Sequence, residues 1–194
     1  MNPVLVMYYS RHGSTLQLAE KIADGAESAG CEALMRCVPE VSDNLDGKKA
    51  RVPDAGNPYV TKQDLIECSA LALGAPTHFG NMPAPMKYFW DSTTDLWLKG
   101  SLVDKPACVF TSTSSMHGGQ ESTLLSMMLP LLHHGMCLMG VPYTEAALHE
   151  TKTGGTPYGV SHVSTRSDDD SLSDDEVTLA MAMGKRLALW AKKK

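Results

Sequence analysis

The sequence has few basic residues, few aromatic residues and no long apolar segment. It contains 17 lysines and arginines against 22 aspartates and glutamates, for a formal charge of −5, and only 6% of its residues are aromatic. Binding to DNA or RNA needs a basic patch, so no nucleic-acid partner is expected. No window approaches the roughly 18 uncharged apolar residues of a membrane-spanning helix. We therefore expect a cytoplasmic protein without a membrane partner.

Metal-binding patterns and the common nucleotide-binding motifs are also missing. The five cysteines form no Cys-x-x-Cys pair and no spacing with histidine that would hold a metal. We interpret them as buried thiols and predict no metal site. The chain carries neither a Gly-Lys-Ser/Thr phosphate loop nor a Gly-x-Gly-x-x-Gly fingerprint. The usual signatures of ATP-binding and dinucleotide-binding loops are thus absent.

Short apolar runs alternate with helical patterns, over a length that suits a single domain spanning residues 1–194. Five runs are too short and unbroken for amphipathic helices and indicate buried strands at 4–9, 33–38, 71–74, 107–111 and 136–141. Helical spacing predicts helices at 15–29, 61–68, 83–92, 121–134 and 174–192. This alternation is typical of an α/β fold. Two stretches, 40–60 and 142–172, are expected to be long loops that are functional or disordered.

The first predicted strand runs into a hydroxyl-rich turn where the first helix starts. The turn reads Ser10-Arg11-His12-Gly13-Ser14-Thr15. A strand, turn and helix in this order direct backbone N–H groups and the positive end of the helix dipole toward one spot. We interpret the turn as a cradle for a terminal monophosphate such as that of flavin mononucleotide (FMN). An ordinary capped helix is an equally good interpretation of this turn alone.

Two more loops of unusual composition follow the third and fourth predicted strands. They are residues 74–83, GAPTHFGNMP, and residues 111–121, TSTSSMHGGQE. Ligands of parallel sheets bind beyond the carboxyl ends of the strands, so these loops and the first turn are expected to face one crevice. Phe79 and Met82, together with polar neighbours, suit a flat heteroaromatic ring. Taken singly, the residues of this loop are better interpreted as a turn with a buried phenylalanine, and only the three loops together favour a ligand site.

Five segments, in this order and at these intervals, resemble the WrbA family of flavodoxin-like NAD(P)H:quinone oxidoreductases: LVMYYSRHGST, GAPTHFGNM, TSTSSMHGGQE, LLHHGM and GGTPYG. The resemblance implies a flavodoxin-like three-layer α/β sandwich around a five-stranded parallel sheet of order 2-1-3-4-5. It also implies FMN as cofactor, NADH or NADPH as electron donor and a quinone as substrate. The assembly it implies is a homotetramer, which we expect to exchange with a dimer.

The resemblance also assigns roles to individual residues. The phosphate of FMN would lie against Ser10, Arg11, His12, Gly13, Ser14 and Thr15, with His12 also at the nicotinamide contact. The flavin ring and ribityl chain would lie against Pro76, Thr77, His78, Phe79, Asn81, Ser112, Thr113, Ser114, Ser115, Met116, His117 and Gly118. The catalytic residues would be His134, beside the flavin, and Trp97, in the substrate cavity. For Trp97, packing in the core or at an interface is an equally good interpretation.

Three positions depart from the family's pattern. His78 stands where many members have arginine, so a permanent positive charge beside the flavin is not assumed. The run Ser114-Ser115-Met116 replaces a more glycine-rich one, which predicts a stiffer loop with a thioether near the ring. Tyrosine is common at the position of His12.

The first functional hypothesis is a ping-pong reaction in which NAD(P)H reduces the flavin and the flavin then reduces a quinone by two electrons, protecting the cell against oxidative cycling. The alternative is a flavodoxin-type electron carrier without small-molecule turnover of its own. Such carriers are typically far more acidic than a chain of charge −5, and the long loops also argue against this alternative. No pattern in the sequence supports a third class, a pure interaction module.

Overall fold

The computed structural model describes residues 2–41, 53, 55–164 and 170–193. The strands are β1 (Val4–Tyr8), β2 (Ala33–Cys37), β3 (Ala70–Pro76), β4 (Pro106–Thr113), β5 (Cys137–Leu138) and β6 (Val160–Val163). The helices are α1 (Ser14–Ser28), α2 (Lys62–Glu67), α3 (Ala84–Asp91), α4 (Thr94–Leu98), α5 (Gln120–His133), α6 (Ala147–Glu150) and α7 (Asp174–Ala191). Each predicted strand and helix is found at its expected place, so the α/β class is confirmed. Within the described ranges no helix has the length and hydrophobicity needed to cross a membrane.

One parallel sheet joins the strands in the order β2-β1-β3-β4-β5, with β6 paired to β4 as well. The predicted order 2-1-3-4-5 is confirmed. Strand β5 pairs with the beginning of β4, at Pro106 and Ala107, whereas β6 pairs with its end, from Phe110 to Thr113. The two short strands therefore share one edge position. The chain leaves the sheet after β5 and returns to it at β6.

The expected long loop at 142–172 contains regular structure, and that expectation is wrong in this respect. Helix α6 and strand β6 lie within it, while residues 165–169 lie outside the described part of the chain. The sequence of β6 is Val-Ser-His-Val, which is too short and too polar to be recognised by its hydrophobicity. Of the other expected loop, 40–60, residues 42–52 and 54 also lie outside the described part.

Two apolar layers cover the two faces of the sheet. In one layer α1 and α7 pack against the side chains of Val4, Val6 and Tyr8 of β1. In the other, α2, α3 and α5 pack against Leu5 and Met7. Both faces of β1 are thus buried, which explains why its sequence is continuously apolar instead of alternating. The result is the three-layer sandwich that the resemblance implies.

The cysteines only partly meet the expectation of buried thiols. Cys31, Cys68 and Cys108 are buried, but Cys37 is half-buried and Cys137 is exposed because it lies in the short edge strand β5. Burial raises the pKa of Cys68 to about 11 and that of Cys108 to about 12. Both of these thiols therefore stay protonated at neutral pH and serve as small apolar core residues.

Candidate functional site

A cleft of about 640 Å³ opens at the carboxyl ends of β1, β3 and β4. The three loops singled out from the sequence line it, and a fourth segment follows β6. Its volume lies within the usual range for small-molecule sites. The cleft brings together the predicted site residues Ser10, Arg11, His12, Ser14, Thr15, Pro76, Thr77, His78, Ser112, Thr113 and Ser114.

The turn after β1 is built around Gly13, the residue that precedes α1. Its φ of 99° lies in the left-handed region, which glycine adopts without strain. The backbone N–H of Gly13 donates a hydrogen bond of 3.2 Å to Ser10 Oγ, which closes the turn. No side-chain hydrogen bond caps the start of α1. The amide groups of its first turn are therefore directed at the cleft without a side-chain cap.

Buried hydroxyl groups hold the floor of the cleft together. Thr15 Oγ1 and Ser112 Oγ are hydrogen-bonded at 2.7 Å, which ties α1 to β4. Thr123 Oγ1, in the first turn of α5, donates to Thr77 Oγ1 at 2.7 Å. Thr111 Oγ1 donates to the carbonyl oxygen of Ala75 at 2.7 Å. These hydrogen bonds connect neighbouring helices, strands and loops of the fold, so the loops beside the cleft are held in fixed positions.

The loop after β3 directs a phenylalanine outward. His78 and Asn81 exchange backbone hydrogen bonds of 2.8 and 3.1 Å across the turn. Phe79, at the tip of this turn, has a φ of 54° and a fully exposed ring. A bulky residue in this region costs of order 1 kcal/mol. Within this chain Phe79 and Asn81 do not line the cleft, and the ring of Phe79 is free to contact a ligand or a neighbouring molecule.

The remaining residues of the loop after β4 do not line the cleft either. Ser115, Met116 and His117 are exposed and, with Gly118, are not part of its lining. They form a turn in which the Gly118 N–H donates to the carbonyl oxygen of Ser115 at 3.1 Å. Gln120 Nε2 donates to the carbonyl oxygen of Met116 at 2.6 Å, which fixes this turn to the start of α5.

His134 and Trp97 do not line this cleft within the single chain, so their role beside the flavin stays a prediction. They line a second pocket of about 440 Å³ that has no lining residue in common with the first. The physical reason is the length of α5. Its first turn contacts Thr77 through Thr123, whereas His134 follows its last residue, and eleven residues of helix rise roughly 16 Å.

The second pocket presents two buried polar atoms without a hydrogen-bond partner among the described residues, His134 Nδ1 and Trp90 Nε1. Thr93 Oγ1 donates its proton to the Trp90 carbonyl oxygen at 2.7 Å, so it must accept the 2.9 Å hydrogen bond from His134 Nε2. Burial, with a smaller effect of His133, lowers the pKa of His134. His134 is therefore neutral at pH 7, with an unprotonated Nδ1.

Sequence reasoning missed a carboxylate in the first cleft. Asp170 and Ser164 both line it, in the segment that follows β6. Because β6 was not recognisable from the sequence, its pattern did not indicate that this segment returns to the cleft. The acidic run Asp168-Asp169-Asp170 was the only signal in the sequence. Within the described ranges, no group of three or more histidine, cysteine, aspartate or glutamate side chains is arranged to hold a metal ion.

The fold is that of a flavodoxin-like α/β protein with a cleft at the carboxyl edge of its sheet. The flavodoxin described as WrbA-like from Agrobacterium tumefaciens has a TM-score of 0.71 at 22% identity, covering 100% of this chain and 99% of that one. A flavodoxin from the domain Archaea has a TM-score of 0.65 at 19% identity, with coverage of 98% and 99%. At these identities the likeness establishes the fold.

Sequence comparison then identifies the family. Residues 4–149 match the model of the NADPH-dependent FMN reductases, and the chain belongs to this family. It is 40% identical to the NAD(P)H dehydrogenase (quinone) of Trichlorobacter lovleyi, over 97% of this chain and 96% of that protein. The protein of the same name from Geotalea daltonii is also 40% identical, over 95% and 94%. These findings confirm the resemblance found in the sequence.

Proposed function

We propose that this protein is an FMN-dependent NAD(P)H:quinone oxidoreductase. The observation that carries this proposal is the cleft at the carboxyl ends of β1, β3 and β4, where a hydroxyl-rich turn meets the uncapped start of α1. The family and the activity named for its relatives supply the cofactor, the electron donor and the substrate class.

The residues of the cleft fit FMN. Ser10, Ser14 and the first amide groups of α1 would hold the phosphate, since a helix N-terminus with hydroxyl donors favours an anion. The left-handed turn at Gly13 lets the backbone approach this group closely. The loops at Pro76–His78 and Ser112–Ser114 would hold the ring, and their buried hydroxyl contacts keep them rigid. When bound, FMN supplies hydride acceptance and two-electron delivery.

The protein's own contribution is to orient the reactants and exclude water from the cleft. Complete two-electron reduction of a quinone avoids release of a radical, so a protective role against oxidative stress is part of this proposal. A cytoplasmic location is also part of this proposal, because the five cysteines, all within the described residues, form no disulfide, as is usual in a reducing compartment.

The active form that we propose is a homotetramer in exchange with a dimer. Helices α3, α4 and α5 expose large apolar side chains, namely those of Tyr88, Trp97, Leu98, Leu125, Leu129 and Leu132. Exposed apolar side chains on neighbouring helices are typical of interaction sites. The second pocket lies on the same helices, with His134 Nδ1 and Trp90 Nε1 unpartnered among the described residues. A catalytic role for His134 and Trp97 therefore requires that a second copy bring this pocket to a cleft.

The assembly can be tested by light scattering. We expect a tetramer at micromolar concentration, with FMN shifting a dimer toward it by mass action. Leu129→Glu should yield a smaller species, because it places a charge on the apolar face. Leu189→Glu, the same substitution at an exposed leucine of α7, is the matched control and should leave the mass unchanged. A strict monomer, with or without FMN, would contradict the proposal.

The activity can be tested in two steps. Acid treatment of the purified protein should release FMN, identified by mass, because the turn after β1 suits a single terminal phosphate. Steady-state oxidation of NADH or NADPH with benzoquinone should then show turnover. FMN binding without turnover would instead favour the flavodoxin-type carrier. Release of FAD, or no flavin uptake after reconstitution, would contradict the assignment of the cleft.

A further inference from the structure

The turn after β1 already binds a carboxylate that belongs to the chain itself. Asp170 Oδ2 accepts hydrogen bonds of 2.8 Å from Ser14 Oγ and from Ser164 Oγ. The main-chain oxygen of Asp170 accepts a third, also 2.8 Å, from Gln17 Nε2. Ser14 and Gln17 belong to the first turn of α1. A negatively charged group thus lies beside the positive end of α1, held by side-chain donors of its first turn.

A buried histidine lies next to this carboxylate and is hydrogen-bonded to a buried glutamate. His162 Nε2 lies 3.5 Å from Asp170 Oδ1, and His162 Nδ1 is hydrogen-bonded to Glu176 Oε2 at 2.9 Å. Glu176 is fixed in turn, because it accepts backbone hydrogen bonds from Gly154, Val163 and Ser173. Both His162 and Glu176 are almost fully buried. The arrangement therefore connects the cleft to the rigid start of α7.

Protonation of His162 would favour the same position of Asp170. Burial alone would lower the pKa of His162, but the hydrogen bond and charge of Glu176, and the charge of Asp170, outweigh burial and raise it. His162 Nε2 has no hydrogen-bond partner among the described residues, and its nearest anionic neighbour is Asp170. The other cleft residues that can carry positive charge are Arg11, His12 and His78.

We propose that Asp170 is a specificity-determining residue of the cleft, whose carboxylate competes with the phosphate of a flavin for the hydroxyl group of Ser14. A phosphorylated flavin must displace this carboxylate, whereas a flavin without phosphate does not. The inference rests on the proposed FMN cleft. A phosphate ester carries a charge of about −1.5 to −2 at pH 7. The phosphate and the Asp170 carboxylate cannot both accept the single proton of the Ser14 hydroxyl group. Two negative groups placed next to each other also repel, even in a solvated cleft.

The test compares FMN with riboflavin, which differ only in the phosphate. Both are titrated into the flavin-stripped full-length protein while flavin fluorescence is followed. In Asp170→Asn, which keeps the shape of the side chain but removes its charge, FMN should bind about fivefold more tightly. Riboflavin affinity should change by less than about twofold, because it has no group to compete. The matched control is Asp24→Asn, which removes an equal charge from the exposed end of α1 and should change neither affinity.

Two further measurements keep the inference testable if Asp170→Asn folds poorly or flavins do not bind. Gln17→Ala removes only the hydrogen bond to the Asp170 main chain and should tighten FMN binding about twofold. Inorganic phosphate, with chloride as the control, should raise the melting temperature of Asp170→Asn at about fivefold lower concentration than that of the wild type. The phosphate result bears on Asp170 alone, so it separates failure of this inference from failure of the FMN assignment.

Three results would overturn the inference. Unchanged or weaker FMN binding in Asp170→Asn would mean that the carboxylate does not compete with the phosphate. Equal tightening for FMN and riboflavin would mean that Asp170 acts on the whole cleft. An equal response of the variant and the wild type to inorganic phosphate would place the anion site elsewhere.

Discussion

Replacing Gly13 with valine is expected to weaken FMN binding by about tenfold or more. The φ of 99° at this position excludes a β-branched residue, so the turn must shift to relieve strain of about 1–3 kcal/mol. The shift removes the hydrogen bond to Ser10 Oγ and misdirects the amide groups of α1. An added Cβ would meet no atom of the described residues within 4 Å, so the effect comes from the backbone and from lost ligand space, not from crowding inside the protein.

Flavin titration of the stripped protein measures this effect. Gly30→Val is a matched control, since Gly30 has a φ of 74° just beyond the other end of α1, far from the cleft. Gly30→Val should reduce the free energy of unfolding about as much as Gly13→Val does, but leave the dissociation constant for FMN unchanged. Equal dissociation constants in Gly13→Val and the wild type would place the phosphate outside this turn.

Replacing His134 with alanine should leave the protein yellow but reduce quinone turnover about tenfold or more, at the low end of general acid effects. The cofactor should remain because the cleft that holds it has no lining residue in common with the pocket of His134. Turnover should fall because Nδ1 of this neutral imidazole, unpartnered among the described residues, can take up a proton and pass it to the quinone oxygen during reduction. Rapid mixing follows flavin bleaching by NAD(P)H and its return with benzoquinone separately.

Two variants of neighbouring residues separate a catalytic role from packing. His133→Ala changes the exposed histidine that precedes His134 in the chain, and it should alter turnover by less than about twofold. Thr93→Val keeps the shape of Thr93 but removes the hydrogen bond that orients His134, so it should lower the quinone step without affecting FMN retention. If both half-reactions of His134→Ala run at wild-type rates, His134 is a packing residue.

Much of the fold could be predicted because the deciding information is local. The unbroken apolar run of β1, the turn at Gly13 and the capping box of Ser173 and Glu176 at α7 are patterns within a few residues. The cleft was predictable for the same reason. Parallel strands direct their following loops to one edge, so unusual loops after β1, β3 and β4 had to meet. The sheet order, in contrast, came from the family resemblance and not from the pattern.

The sequence by itself thus determined the α/β class, the hydroxyl-rich turn and the three loops that line the cleft. Tertiary structure alone decided three other features. Strand β6 exists because the end of β4 offers unpaired backbone groups, and its own four residues carry no strong signal. Asp170 enters the cleft because β6 returns the chain there. His134 lies far from Thr77 because most of helix α5 lies between them. Each depends on partners distant in the chain, whose positions follow from packing and not from local pattern.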